Sequence, residues 1–100
     1  MFESNKPIYM TKTISEKLSK GHRDFIVHYI VEKQSTLEDY LQIFEFYIEN
    51  NKQWLIQRQE EPNRETTICL ELVKSEPIEC KVWVMDQGGE GIIILFPEDY

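Results

Sequence analysis

Cysteine and histidine are scarce in this chain, two of each among 100 residues. Cys69 and Cys80 lie far apart and fit no metal-ligand spacing, and His22 and His28 do not share a helical face. No structural metal site is therefore expected. In a reducing cytosol the two thiols are expected to stay free, even on adjacent strands. Long apolar runs are missing too. A membrane-spanning helix needs ~18 or more consecutive apolar residues, and none is present. The first residues, MFESNKPIYMTK, lack the apolar core of a signal peptide, so a cytoplasmic location is expected. No repeat, linker or low-complexity segment breaks the chain, and a single domain over 1–100 is expected.

Positive charge is the other shortage. Eleven Lys and Arg stand against 18 Asp and Glu, a net charge of −7. The imbalance is local. Residues 1–38 hold six basic and five acidic side chains, whereas residues 39–100 hold five and thirteen. A surface with that balance repels phosphate backbones, which disfavours general nucleic-acid binding. Two narrower readings remain. Lys12, Lys17, Lys20, Arg23 and Lys33 give the helical region a local basic face for nucleic acid. The acidic part would suit a DNA mimic that inhibits a DNA-processing enzyme, although no continuous row of carboxylates is visible.

Catalytic signatures are also lacking. Asp86-Gln87-Gly88-Gly89-Glu90-Gly91 is glycine-rich, but it leads into a strand rather than a helix and carries no lysine, so it reads as a hairpin loop. Asp39, Glu60, Glu61 and Asp86 fall near strand ends, with no sign of the separated environments that paired acid–base work requires. No Ser/His/Asp or Cys/His set has a local signature. The sequence points away from an enzyme and implies no cofactor.

What is present is a pattern of elements. Hydrophobic residues make up 41% and charged residues 29%, the balance of a globular domain. Residues 1–7 read as a loose end, and Ile8, Tyr9 and Met10 as a short edge strand. Thr13-Ile14-Ser15-Glu16 has capping-box form, and Gly21 is placed to end the short helix in a left-handed conformation. A main helix is predicted over 22–33, with Phe25, Ile26, Tyr29 and Ile30 as its apolar stripe. Strands follow over 66–72, over 78–85 with Ile78, Cys80, Val82 and Val84 inward, and over 92–96.

The stretch TLEDYLQIFEFYI, residues 36–48, is ambiguous. Leu37, Tyr40, Leu41, Phe44 and Ile48 recur at helical spacing, whereas Tyr40, Gln42, Phe44, Phe46 and Ile48 alternate as one face of a strand. Asn50-Asn51 decides for the strand, because paired asparagines tolerate positive φ and make hairpin turns. A three-residue loop at 49–51 sets Phe46 opposite Trp54, Phe44 opposite Ile56 and Gln42 opposite Arg58. A two-residue loop sets Ile56 opposite Glu45, the poorer apolar match. The expected fold is α+β: an antiparallel β meander of about five strands, plus the short N-terminal edge strand, with one main helix packed on one face.

Two surface features follow from this register. Gln42, Gln57, Arg58, Gln59 and Glu60 bring polar side chains into a strand expected to lie in the sheet, and they are the candidate contact residues for a protein partner. Leu41, Ile43, Tyr47 and Leu55 occupy the second face of the hairpin, a candidate surface for a homodimer or a partner.

Four segments, YMTKTI at 9–14, DYLQIFEF at 39–46, IQRQEEP at 56–62 and KVWVMDQGGEGIIILFPEDY at 81–100, together resemble a family of small uncharacterised proteins of staphylococci and other Firmicutes. That family is carried as a domain of unknown function. The resemblance covers nearly the whole chain. It implies a strand at DYLQ leading into a hairpin, and an origin on mobile genetic elements. It brings no catalytic or binding residues. The functional expectation is a non-enzymatic protein-interaction module, with service to a mobile element as what the resemblance implies.

Overall fold

The computed structural model describes residues 2–3, 5–72 and 74–100. Strand β1 (Ile8–Met10) leads into helix α1 (Lys12–Lys17) and then α2 (Lys20–Lys33). Strands β2 (Leu41–Glu49), β3 (Lys52–Gln59), β4 (Arg64–Leu70), β5 (Cys80–Asp86) and β6 (Ile92–Leu95) follow. They form one six-stranded sheet in the order β1-β6-β5-β2-β3-β4. The fold is α+β, as the element order implied. The strand order adds two things that the succession of elements did not show. After β4 the chain crosses back so that β5 pairs with β2, which leaves β4 at an edge, and β1 joins β6 in parallel.

The ambiguous stretch is a strand, and its alternation explains why. Gln42, Phe44 and Phe46 are buried on the helix side, together with Leu55, Val82, Val84, Ile92 and Ile94. Ile14, Leu18, Ile26 and Ile30 from the two helices complete the same core. A helix through these residues would have scattered Phe44 and Phe46 around its axis; the strand points both inward.

The hairpin register departs from expectation. The turn is a two-residue loop, with Asn50 and Asn51 at φ 52° and 63°, and Glu49 faces Lys52. Tyr47 therefore faces Trp54, Phe46 faces Leu55, and Phe44 faces Gln57. The pairs expected from a three-residue loop, Phe46 with Trp54 and Phe44 with Ile56, do not form. Two consecutive positive-φ residues are a type I′ turn, whose twist matches that of the strands it joins. The turn outweighed the apolar matching. Leu55 consequently lies in the core rather than on the second face of the sheet, while Trp54 and Ile56 take the second face.

Four local expectations are corrected as well. Thr11, not Thr13, caps α1, its hydroxyl accepting from the Ile14 amide at 3.3 Å. Gly21 ends no helix: α1 stops at Lys17, Ser19 caps α2, and Gly21 lies in the first turn of α2. A β-carbon there would stand 2.7 Å from Ser75 Oγ, so glycine allows the close approach of the 74–79 segment. The N-terminal stretch is not loose where it is described. Phe2 is buried in the core, Lys6 pairs with Asp86 at 2.8 Å, and the Ile92 amide donates to the Pro7 carbonyl; Met1 and Ser4 lie outside the described residues. Cys69 and Cys80 are not on adjacent strands, because β2 and β3 separate β4 from β5.

Candidate functional site

β3 presents Gln53, Leu55, Gln57 and Gln59 to the interior, an unusual face for a central strand. Buried amides need partners, and here they find one another. Gln57 Nε2 donates to Gln42 Oε1 at 2.7 Å, and Gln42 Nε2 donates to Gln59 Oε1 at 2.9 Å. The ends of this chain are closed as well. Tyr29 Oη donates to Gln57 Oε1 at 3.2 Å, and Gln59 Nε2 donates to the Pro62 carbonyl at 2.9 Å. Burial pushes the Tyr29 phenol above its ordinary pKa, and the Arg64 charge pulls partly the other way. Among the described residues, the buried side-chain nitrogen or oxygen left without a partner is Arg23 Nε, so the glutamine chain is fully satisfied.

Gln53 closes a second network. Its Oε1 faces His22 Nε2 at 2.9 Å and accepts from the Ile78 amide at 2.8 Å. The other ring nitrogen of His22 lies 2.6 Å from Ser19 Oγ, which contacts Ser75 Oγ at 2.8 Å. This relay ties the start of α2 to β3 and to the 74–79 segment. His28 points outward instead, beside Glu32 at 2.8 Å.

The five candidate contact residues therefore separate. Gln42, Gln57 and Gln59 are interior and joined. Arg58 lies on the opposite face, 3.1 Å from Glu45 and opposite Ile43 rather than Gln42. Glu60 is exposed at the β3–β4 turn, where its amide and that of Glu61 donate to Asp39 Oδ2. Of the basic helical residues, Lys12 and Lys20 stand in ion-pair reach of Glu16 and Asp24.

Pairing across the strands assembles the face that carries no helix. One row reads Leu95, Trp83, Ile43, Arg58, Glu65; the next reads Lys81, Glu45, Ile56, Thr67. Trp54 and Tyr47 stand side by side beyond them. Glu45 sits between Arg58 and Lys81, 3.6 Å from the latter, so the centre of this face is nearly charge-balanced. At its outer positions Glu49 and Lys52 stand cross-strand from each other and Glu65 lies beside Arg58, all three exposed. Tyr100 reaches Trp83 edge-on, ring centroids 6.0 Å apart. Sequence reasoning found Ile43 and Tyr47 here but not Trp54, Ile56 or Arg58. The one-residue shift in register had sent Trp54 and Ile56 to the other side.

On the helix side, two clefts open between α2 and β4. One, of ≈ 400 Å³, is lined by Tyr29, Lys33, Leu37, Arg64, Thr66 and Ile68, with Gln57 and Gln59 behind. The other, of ≈ 730 Å³, lies between Phe25 and His28 on the helix and Leu70 and Leu72 on the strand side. No helix among the described residues is long and apolar enough to cross a membrane.

Comparison with known proteins agrees with this fold. A family described as "Staphylococcal protein of unknown function (DUF960)" matches residues 8–98, and the chain belongs to that family. No curated protein matches it. Among solved structures it is similar to the crystal structure of a protein of unknown function from Enterococcus faecalis. The two are 23% identical with a TM-score of 0.84, over 99% of this chain and 94% of that one. At that identity the likeness speaks for the fold alone.

Proposed function

We propose that this member of the DUF960 family is a non-enzymatic protein-interaction module that meets its partner through the helix-free face of the sheet. The observation behind this reading is the asymmetry of the layers. Both helices pack on one side, while the other presents Tyr47, Trp54, Ile56, Trp83 and Arg58. Tryptophan, tyrosine and arginine are the residues that dominate binding energy at protein interfaces. The charge pattern sets the chemistry of the partner. The face itself is mixed in charge: Lys81 and Arg58 flank Glu45, Lys52 stands cross-strand from Glu49, and Glu65 is exposed beside Arg58, whereas the chain as a whole carries −7. The complementary surface is an apolar patch on a partner of net positive charge, and long-range attraction of this kind raises association rates. A second copy of this chain would bring two net charges of −7 together.

Affinity capture with the purified chain tests the reading. A host protein with a basic surface should be retained by wild type, lost with Trp54→Ala/Arg58→Glu, and weakened in ~0.5 M salt, where the Debye length falls well below ~8 Å. Equal recovery by wild type and the variant overturns the assignment. A salt-insensitive complex overturns the charge argument, and a stable homodimer through this face replaces the partner with a second copy.

A further inference from the structure

We propose that the trough between β4 and α2 binds an extended peptide, which adds to β4 as a seventh strand and runs antiparallel to it. β4 ends the sheet: it pairs with β3 alone, over all seven of its residues. Its outer edge therefore offers about 24 Å of backbone donors and acceptors to a further strand. α2 covers the middle of the sheet and stops short of this edge. Phe44, Leu55 and Val82 on the central strands are fully buried, whereas Ile68 and Leu70 on β4 stay half-exposed beside the two clefts. A strand added here would send alternate side chains into that space, the geometry by which sheet-edge binders combine backbone affinity with side-chain selectivity.

The two clefts differ, and for an antiparallel strand the difference sets which end of the peptide is apolar and which acidic. The ≈ 730 Å³ cleft has Phe25, Leu70 and Leu72 in its walls and suits a large apolar side chain. The ≈ 400 Å³ cleft at the other end is flanked by Lys33 and Arg64, and no acidic side chain lines it. The Arg64 guanidinium is held by Glu38 and by the Thr36 carbonyl, so it is the Lys33 charge that outweighs the partial negative charge at the C-terminal end of α2. A carboxylate is favoured there. An antiparallel peptide has its N-terminal half beside Leu70 and its C-terminal half beside Arg64. The matching sequence has apolar residues at alternate positions, followed by Asp, Glu or a free C-terminal carboxylate. A second copy is a poor occupant, because pairing two β4 edges would bring together two chains of net charge −7.

The probe is a phage-displayed library of ten-residue peptides, followed by synthesis of the most enriched sequence. That peptide is titrated into ¹⁵N-labelled protein. The expected result is enrichment of alternating apolar residues ending in an acidic one, with amide shifts confined to β4 and α2. Thr66→Trp, which fills the smaller cleft, and Lys33→Glu, on the exposed end of the helix, should each weaken binding tenfold or more. Glu90→Gln in the β5–β6 turn should leave it unchanged. Lack of enrichment, shifts on the helix-free face, or affinity indifferent to both Thr66→Trp and Lys33→Glu would overturn the proposal, as would a β4-mediated dimer. Trp54→Ala/Arg58→Glu reports on the opposite face, so the two readings fail separately.

Discussion

Gln57 donates to Gln42 across the β2–β3 ladder at 2.7 Å, inside the core and directly behind the α2–β4 trough. This bond is the middle of a chain that runs from Tyr29 to Pro62. It makes the polar face of β3 compatible with burial.

The chain of amides should behave as a unit. Gln42→Leu leaves Gln57 Nε2 and Gln59 Oε1 each without one partner in the interior, and should destabilise by about 2–4 kcal/mol. Replacing Gln42, Gln57 and Gln59 together by Leu should cost less than the sum of the three single changes, since it removes donors and acceptors at once. Urea denaturation of the four variants measures this. Strict additivity would contradict it.

Asn50 and Asn51 hold positive φ, which costs a residue with an ordinary side chain roughly 1–2 kcal/mol. Asn51→Ala should destabilise by about that amount. Asn51→Gly should be neutral or mildly stabilising, because glycine adopts a type I′ turn freely. Thermal melts of the two variants should move in these directions, and a destabilisation by glycine equal to that by alanine would count against the turn assignment.

Asp99 gives the fold an acid-sensitive clasp. The Thr13 hydroxyl, then that of Thr11, donate to its Oδ2 at 2.6 and 2.8 Å, and the Phe96 amide adds a third bond. Together with the Lys17 charge they hold its carboxyl below the ordinary range. A depressed folded pKa contributes stability that is present above the unfolded value of about 3.9 and lost as pH falls through the folded one. Wild type should therefore lose stability more steeply than Asp99→Asn below about pH 4, and the two should differ by a constant amount above about pH 5. Urea midpoints across that range decide the matter; parallel curves at low pH would remove the clasp.

The two thiols should differ sharply in reactivity. Burial, with Glu98 adding to it, pushes the Cys80 thiol up to about 11, whereas Cys69 is exposed on β4. The thiolate is the reactive form. Iodoacetamide near pH 8 should modify Cys69 in the folded protein and reach Cys80 only on unfolding, as read by peptide mass mapping. Equal labelling of both would contradict the burial of Cys80.

The elements were legible in the sequence because each rests on local chemistry. The alternation in 42–46, the paired asparagines, the apolar run at 92–95 and the helical stripe around Ile26 and Ile30 all act within a few residues. The apolar pattern also placed Ile43 and Tyr47 on one face. It failed at β3, where hydrophobicity and orientation run opposite to habit: Gln53, Gln57 and Gln59 face the core while Trp54 and Ile56 face away. Sequence cannot announce that Gln42, Gln57 and Gln59 will satisfy one another, because they and their partners come from β2, β3, α2 and the β3–β4 loop.

The sequence by itself determined a small α+β domain with an acidic second half, a hairpin at Asn50-Asn51 and a chain of strands behind one main helix. Tertiary structure decided the rest. It set β5 beside β2, left β4 as an edge next to a helix too narrow to cover it, and divided the five polar candidates between the interior and opposite surfaces. The reason is that strand order and side-chain satisfaction are long-range properties. They depend on which backbone edges and which amides meet in space, and a linear pattern of residue types carries only the local part of that information.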